Sequence, residues 1–335
     1  MSLNRRALIA TATAAAVVSP ARADGRWVEK PKVPYPIQEV YGVAWRDQVL
    51  IAGGMAPAQG QVNPTDRSAL YDPAVNLWRE WGRFPFPRHH PSFATVRTDR
   101  YASAGFPDAF AMGGYRVTEA GSWVSIKQVL LWDLVWTEVE PMPLFQAEAV
   151  AVGLDGIVHL VSGRAPKGES NKAYADHADV ATHQTFDPEE NRWRSAKPCP
   201  LARNSATGTE IDGKLYLCGG RTMGGGNTGQ LDRYDPATDK WEMLRPMPQG
   251  AGGLAGAALG GKLYVFGGEG GPKGVIAETW SYDPKTDRWS PEPAMRTPRH
   301  GLAAVALGGQ IYAVGGGTKP SGGAVSDICE AFVPA

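Results

Sequence analysis

A short apolar run ending in a double glycine recurs six times along this chain. That spacing limits what the chain can fold into more than any other feature. The run stands as IAGG ending at Gly54, AMGG at Gly114, VSG at Gly163, LCGG at Gly220, VFGG at Gly268 and AVGG at Gly316. Some 14–23 residues after each comes an aromatic, usually followed by Asp-Pro: Tyr71-Asp72-Pro73, Trp132-Asp133, Phe186-Asp187-Pro188, Tyr234-Asp235-Pro236, Tyr282-Asp283-Pro284 and Phe332-Val333-Pro334. Five residues past the proline stands Trp78, Trp193, Trp241 or Trp289, and the second copy shortens this to Trp132–Trp136. A proline step such as Phe86-Pro87 or Met247-Pro248 closes each copy. A fixed period of this length means a ring or stack of identical supersecondary units.

Within a copy the local code reads as strands. Leu302–Leu307 is a small apolar run, Gly308-Gly309 a two-residue turn, and Gln310–Val314 a β-rich run. Asp155-Gly156, Asp212-Gly213 and Gly260-Gly261 repeat the turn, a strong hairpin signature. The double glycine permits positive φ and close backbone approach. The aromatic-Asp-Pro turn and its tryptophan form a second hairpin, and the tryptophan packs between neighbouring copies.

The sixth copy has no tryptophan after Phe332-Val333-Pro334. Pro334-Ala335 followed by Asp24-Gly25-Arg26-Trp27 reads P-A-D-G-R-W, against P-K-T-D-R-W at Pro284–Trp289. The two ends are therefore expected to share one repeat, which requires a closed ring.

Residues 1–23 read as an address. Arg5-Arg6 precede the mild apolar stretch Ala7–Val18, and Ala21-Arg22-Ala23 is a cleavage site. The pattern is that of a secretory signal of the twin-arginine kind, with an ordinary Sec signal as the alternative. The expected location is periplasmic or secreted, and residues 24–335 form one domain.

The chain carries 34 basic and 34 acidic residues; residues 1–23 hold three arginines and no acid, so the remainder carries 31 against 34. This balance excludes a basic nucleic-acid binder. No apolar run reaches the roughly 18 residues of a membrane span. Cys199, Cys218 and Cys329 match no zinc spacing and read as small buried hydrophobes.

The GG…YDP…W…MP combination, in six copies over residues 24–335, resembles the Kelch family. The resemblance implies a six-bladed all-β propeller, here closed by an N-terminal strand that completes the last blade. The loops after each double glycine and those before each first strand then share one face around the channel. They bring Arg88, Arg164, Arg203, Arg221 and Arg299 to that opening, with His89, His90, His300, Glu148 and Glu269. Arginine forks suit carboxylates. Arg88, Arg203 and Arg299 have a second reading, since an arginine after the proline step can bond blade backbone.

A metal reading of Asp179 and His183 near His177 breaks at Ala175, and no metal is expected. No phosphate or dinucleotide fingerprint occurs, so no cofactor is expected. Similarity to copper-radical oxidases ends at the blade motifs, and that activity is rejected. The reading is a monomeric binding module for a glycan, an acidic sugar or an exported protein. The alternative is similarity to the periplasmic Kelch mutarotases that act on sialic acid, with Glu269 or Glu148 as acid/base.

Overall fold

In a computed structural model, residues 25–101, 106–270, 274–322 and 324–335 are described; the leader expected over residues 1–23 lies outside them. Among these residues, six antiparallel sheets carry the fold, five of them running outward from the axis in chain order. Blade 4 is representative: Thr207–Ile211, Lys214–Cys218, Leu231–Asp235 and Lys240–Leu244. The first-to-second hairpins turn through two residues of positive φ, as at Asp155-Gly156 (50° and 78°) and Asp212-Gly213 (50° and 72°). This is the turn whose twist matches that of the strands. Blade 1 makes the same turn with Arg46-Asp47, which no sequence cue announced.

The sixth sheet draws on both ends of the chain. Arg26–Lys30 pairs antiparallel with Cys329–Val333, with Trp27 opposite Phe332. Trp27 is buried against Phe266 of blade 5 and Phe332 of its own blade, and its indole N–H donates to the Pro293 carbonyl at 2.9 Å. Trp78, Trp193, Trp241 and Trp289 reach back in the same way to the carbonyls of Pro31, Glu140, Lys197 and Arg245, at 2.8–3.0 Å. Blade 2, with its shortened motif, deviates: Trp136 donates to the Ser68 hydroxyl.

The double glycines fasten blades together on the other face. Gly54, Gly163, Gly220, Gly268 and Gly316 donate their N–H to the carbonyls of Arg88, Arg203, Ala251, Arg299 and Ile37 in the next loop round, at 2.7–2.9 Å. The Gly316 bond closes the ring from blade 6 to blade 1. The three cysteines are buried thiols. The first two strands of blade 2, Ser92–Val96 and Asp108–Met112, connect at the end opposite the double glycine. No helix among the described residues is long and apolar enough to cross a membrane.

Candidate functional site

The loop before each first strand holds one residue in the left-handed region at the same place: Glu39, His90, Glu148, Ser205, Gly253 and Gly301, with φ of 49–65°. Non-glycine residues adopt this conformation only where the surroundings impose it. Here backbone bonds run from loop to loop around the axis. Ser205 N–H donates to Glu148 O, Gly253 to Ser205 O, Gly301 to Gly253 O, and Val40 to Gly301 O. Outside this inner ring, the residue after each double glycine bridges the residue before each ring position. The pairs are Gln38–Met55, His89–Tyr115, Ala147–Arg164, Asn204–Arg221, Gly252–Glu269 and His300–Gly317. Two concentric rings therefore form one mouth. Below it the first strands enclose a cavity of about 90 Å³ and, farther down, one of about 340 Å³. Small residues such as Gly42, Ala151, Gly208, Gly256 and Ala304 line both.

Three carboxylates converge on this mouth. Glu39 Oε2 lies 3.0 Å from His90 Nε2, and Glu39 Oε1 lies 3.6 Å from His300 Nδ1. Glu269 Oε2 pairs with Arg221 Nη1 at 2.6 Å, and its Oε1 accepts the Ser321 N–H at 2.8 Å. Glu148 is buried, accepting from the hydroxyls of Tyr115 (3.2 Å), Tyr174 (3.1 Å) and Ser205 (2.7 Å). Arg221 Nη2 reaches Glu148 at 3.8 Å, and its Nε donates to Asn204 Oδ1 at 3.1 Å.

Protonation follows from these neighbours. Burial alone would raise Glu39, but the His90 charge and hydrogen bond, with His300 and Arg221, outweigh it and hold it down at about 2. Burial likewise opposes the Glu148 charge, and His90, Arg221 and the Ser205 hydrogen bond keep its pKa below the usual carboxylate range. Burial would lower His90, but Glu39 and Glu148 win and raise it. Burial and the His90 charge push His89 well down. His90 is therefore the imidazolium. It donates from Nε2 to Glu39 and from Nδ1 to His89 Nδ1, 2.6 Å away. His300 bridges the rim, its Nε2 facing the Lys319 carbonyl at 2.9 Å and its Nδ1 facing Glu39 at 3.6 Å and Glu269 at 3.8 Å.

The arginines expected at the opening are mostly elsewhere. Arg88, Arg203 and Arg299 are fully buried inside the blades. Arg203 donates to Leu217 O at 3.0 Å and pairs with Asp232 at 2.8 Å. Arg299 donates to Gly315 O at 2.8 Å and pairs with Glu330 at 3.2 Å. Arg88 lies against the Phe84 and Phe86 rings and donates to Gln128. Each loop enters its blade beside the end of the second strand, where carbonyls need donors, and a guanidinium supplies several at once. Arg164 is also buried; it stacks on Tyr174 at 3.8 Å and donates to His177 O. Of the five, Arg221 alone joins the carboxylate cluster, held between Glu148 and Glu269. The positive ring expected from sequence is thus replaced by a mouth with three carboxylates.

His89, His300, Glu148 and Glu269 do lie at this mouth. Glu39 was missed, although it stands at the repeat position of Glu148. Asp179 and His183 point to different partners: Asp179 accepts from Asn204 and Met223, and His183 pairs with His159 inside the blades at 2.9 Å.

Comparison with known proteins agrees with this architecture. The solved structure titled "Structure of YjhT" superposes with a TM-score of 0.72 over 90% of this chain and 95% of that one, at 16% identity, a likeness in fold. The Kelch-like protein terF of Aspergillus terreus is 25% identical over 61% of this chain and 44% of its own length. The Kelch repeat and BTB domain-containing protein 12 of Danio rerio is 31% identical over 52% of this chain and 28% of its own. The chain thus spans under half the length of these curated relatives. The family model described as the KLHDC2/KLHL20/DRC7 Kelch-repeats domain matches residues 107–317, well over half of the sequence, and the chain belongs to the Kelch-repeat family.

Proposed function

We propose that this Kelch propeller is an exported, monomeric binding module that takes a neutral glycan at its mouth. Kelch propellers commonly act as binding modules, and the fold alone leaves the ligand open. One observation carries the choice of ligand: three carboxylates, Glu39, Glu148 and Glu269, converge on the mouth, and Arg221, the guanidinium between Glu148 and Glu269, is already paired. An acidic sugar would need a guanidinium to leave its carboxylate. A neutral sugar instead offers hydroxyl donors to the remaining carboxylate lone pairs, and charged hydrogen bonds of this type contribute roughly 1.5–3 kcal/mol each. Glu269 and Arg221, both half-buried, form the lip where such a ligand would enter.

A second reading rests on the His90 imidazole beside Glu39 and on the Glu269 carboxylate across the mouth. His90 carries a proton it can donate, and Glu269 offers a carboxylate oxygen that can accept one. Opening a sugar ring at its anomeric carbon needs such a pair, a base for the anomeric hydroxyl and an acid for the ring oxygen. This is the sugar mutarotase alternative.

A thermal-shift screen of neutral and acidic glycans on the wild type and on Glu269→Gln tests both. Neutral glycans are expected to stabilise the wild type and to lose most of that effect in the variant. Stabilisation by acidic glycans alone, or equal stabilisation of both proteins, would exclude the mouth as proposed. NMR of anomer exchange, with sialic acid and with glucose, decides between binding and turnover.

A further inference from the structure

A second hollow lies on the opposite face, at the rim shared by blades 1 and 2, and encloses about 330 Å³. Pockets of this size fall at the small end of the range for small-molecule sites. Its walls are apolar and partly bare. Trp45 is buried, whereas Trp81 is 45% exposed and Leu134 44% exposed. Phe106, 39% exposed, extends the rim, with the Arg46 guanidinium 5.6 Å from its ring centroid. Large exposed apolar groups around one cavity mark a binding surface more often than chance.

The polar groups have a one-sided character. Arg46 and Arg79 both line the hollow. The Arg46 guanidinium lies 4.4 Å over the Trp45 ring, and its ion pair among the described residues is with Asp133, at 3.4 Å on the exposed edge. Its Nε and the Trp45 indole nitrogen are both buried donors without a hydrogen-bond partner among the described residues. Such donors carry a desolvation cost unless something accepts from them. Arg79 has no ion pair among the described residues. The acid in the lining, Asp72, is already engaged by Gln48 Nε2 at 3.2 Å and the Ala74 N–H at 2.9 Å.

We propose that this hollow binds a small ring-bearing carboxylate. The flat face of the ring lies against the indoles, and the carboxylate accepts from the guanidinium groups of Arg46 and Arg79. A guanidinium fork matches a carboxylate in geometry and charge, and an indole face suits either an aromatic ring or the apolar face of a pyranose. The site is far from the mouth and independent of what the mouth binds.

Isothermal titration with benzoate and with glucuronate separates the two sources, and benzamide and glucose serve as uncharged counterparts. At least one acid is expected to bind saturably, with its counterpart roughly tenfold weaker or more, the loss expected for one charged hydrogen bond. Arg79→Gln and Trp81→Ala, both at exposed positions, should each weaken binding by a similar factor and leave the melting temperature unchanged. Arg221→Gln at the mouth should leave the affinity as it is. The proposal fails if neither acid binds, if acid and counterpart bind alike, if Arg79→Gln retains full affinity, or if Arg221→Gln abolishes binding.

Discussion

The histidines of blades 1 to 4 sit in contrasting surroundings, and the pH dependence of stability follows from those placements. His159 and His183 face each other inside blades 3 and 4, and burial pulls both down to about 4. An unfolded imidazole titrates near 6.5. As pH falls below that value the unfolded chain takes up protons that these folded rings refuse, so stability falls with them. At about 1.4 kcal/mol per pH unit, each ring would cost roughly 3 kcal/mol by pH 4. His90 has the opposite sign. Its raised pKa stabilises the fold fully below about 6.5, and that contribution is lost as pH rises through the folded value. Glu39, held at about 2, contributes fully above the unfolded carboxylate range and loses its share only in strong acid. Urea unfolding at pH 7.5 and at pH 4.5 should therefore show a loss of several kcal/mol on the acid side. A variant with His159 and His183 both replaced by glutamine should show a smaller loss, the remainder coming from His89 and His177, which burial also holds down. Equal stability of the wild type at the two pH values would refute the assignment.

Glycines of positive φ serve both the double-glycine turn that joins blade to blade and the hairpin within a blade, and the two kinds can be told apart. Gly315 has φ of 64°, and a Cβ there would stand 2.7 Å from the Ile37 carbonyl oxygen of the next loop. Gly308, in an exposed hairpin, has φ of 58° and nothing within 4 Å of a Cβ. Both substitutions to alanine incur the left-handed penalty of roughly 1–2 kcal/mol. Only Gly315→Ala also forces two blades apart, so its midpoint in urea should fall well below that of Gly308→Ala. Equal losses would mean that the blade contact contributes nothing. The sequence made this element readable because Gly-Gly, Asp-Gly and Asp-Pro report backbone geometry directly. The arginines after the proline step were less readable. Their spacing places them correctly in the loop, but whether Arg203 turns toward the axis or into its blade depends on Asp232, whose pairing exists only once the sheet has formed. The same limit hid Glu39: its repeat position is plain beside Glu148 and His90, yet its role appears only when six loops bring those positions onto one axis.

At the scale of the whole molecule, the ring is held by what joins its ends. The Arg26–Lys30 strand supplies the outer edge of blade 6, and Trp27 fills the space between that blade and blade 5. Each of the other five blades supplies its outer strand from its own repeat, so a defect there leaves the circle intact. A defect at Arg26–Lys30 opens it. Replacing a buried tryptophan with alanine costs about 3–5 kcal/mol. For a domain of this size that corresponds to a drop in melting temperature of about 5–8 °C. Trp27→Ala should therefore lower the melting temperature by about that much. It should also raise amide exchange in Cys329–Val333 and in Lys262–Phe266 together, because Phe332 and Phe266 both rest on that ring. Trp193→Ala is the control. Trp193 donates the same kind of bond, to Glu140 O, but lies away from the closure and is only part-buried. Its loss should be smaller, with faster exchange confined to blades 2 and 3. If Trp27→Ala proves no more costly than Trp193→Ala, or frays only Arg26–Lys30 while blades 5 and 6 keep their protection, then the N-terminal strand is an ornament on a propeller that closes by other means.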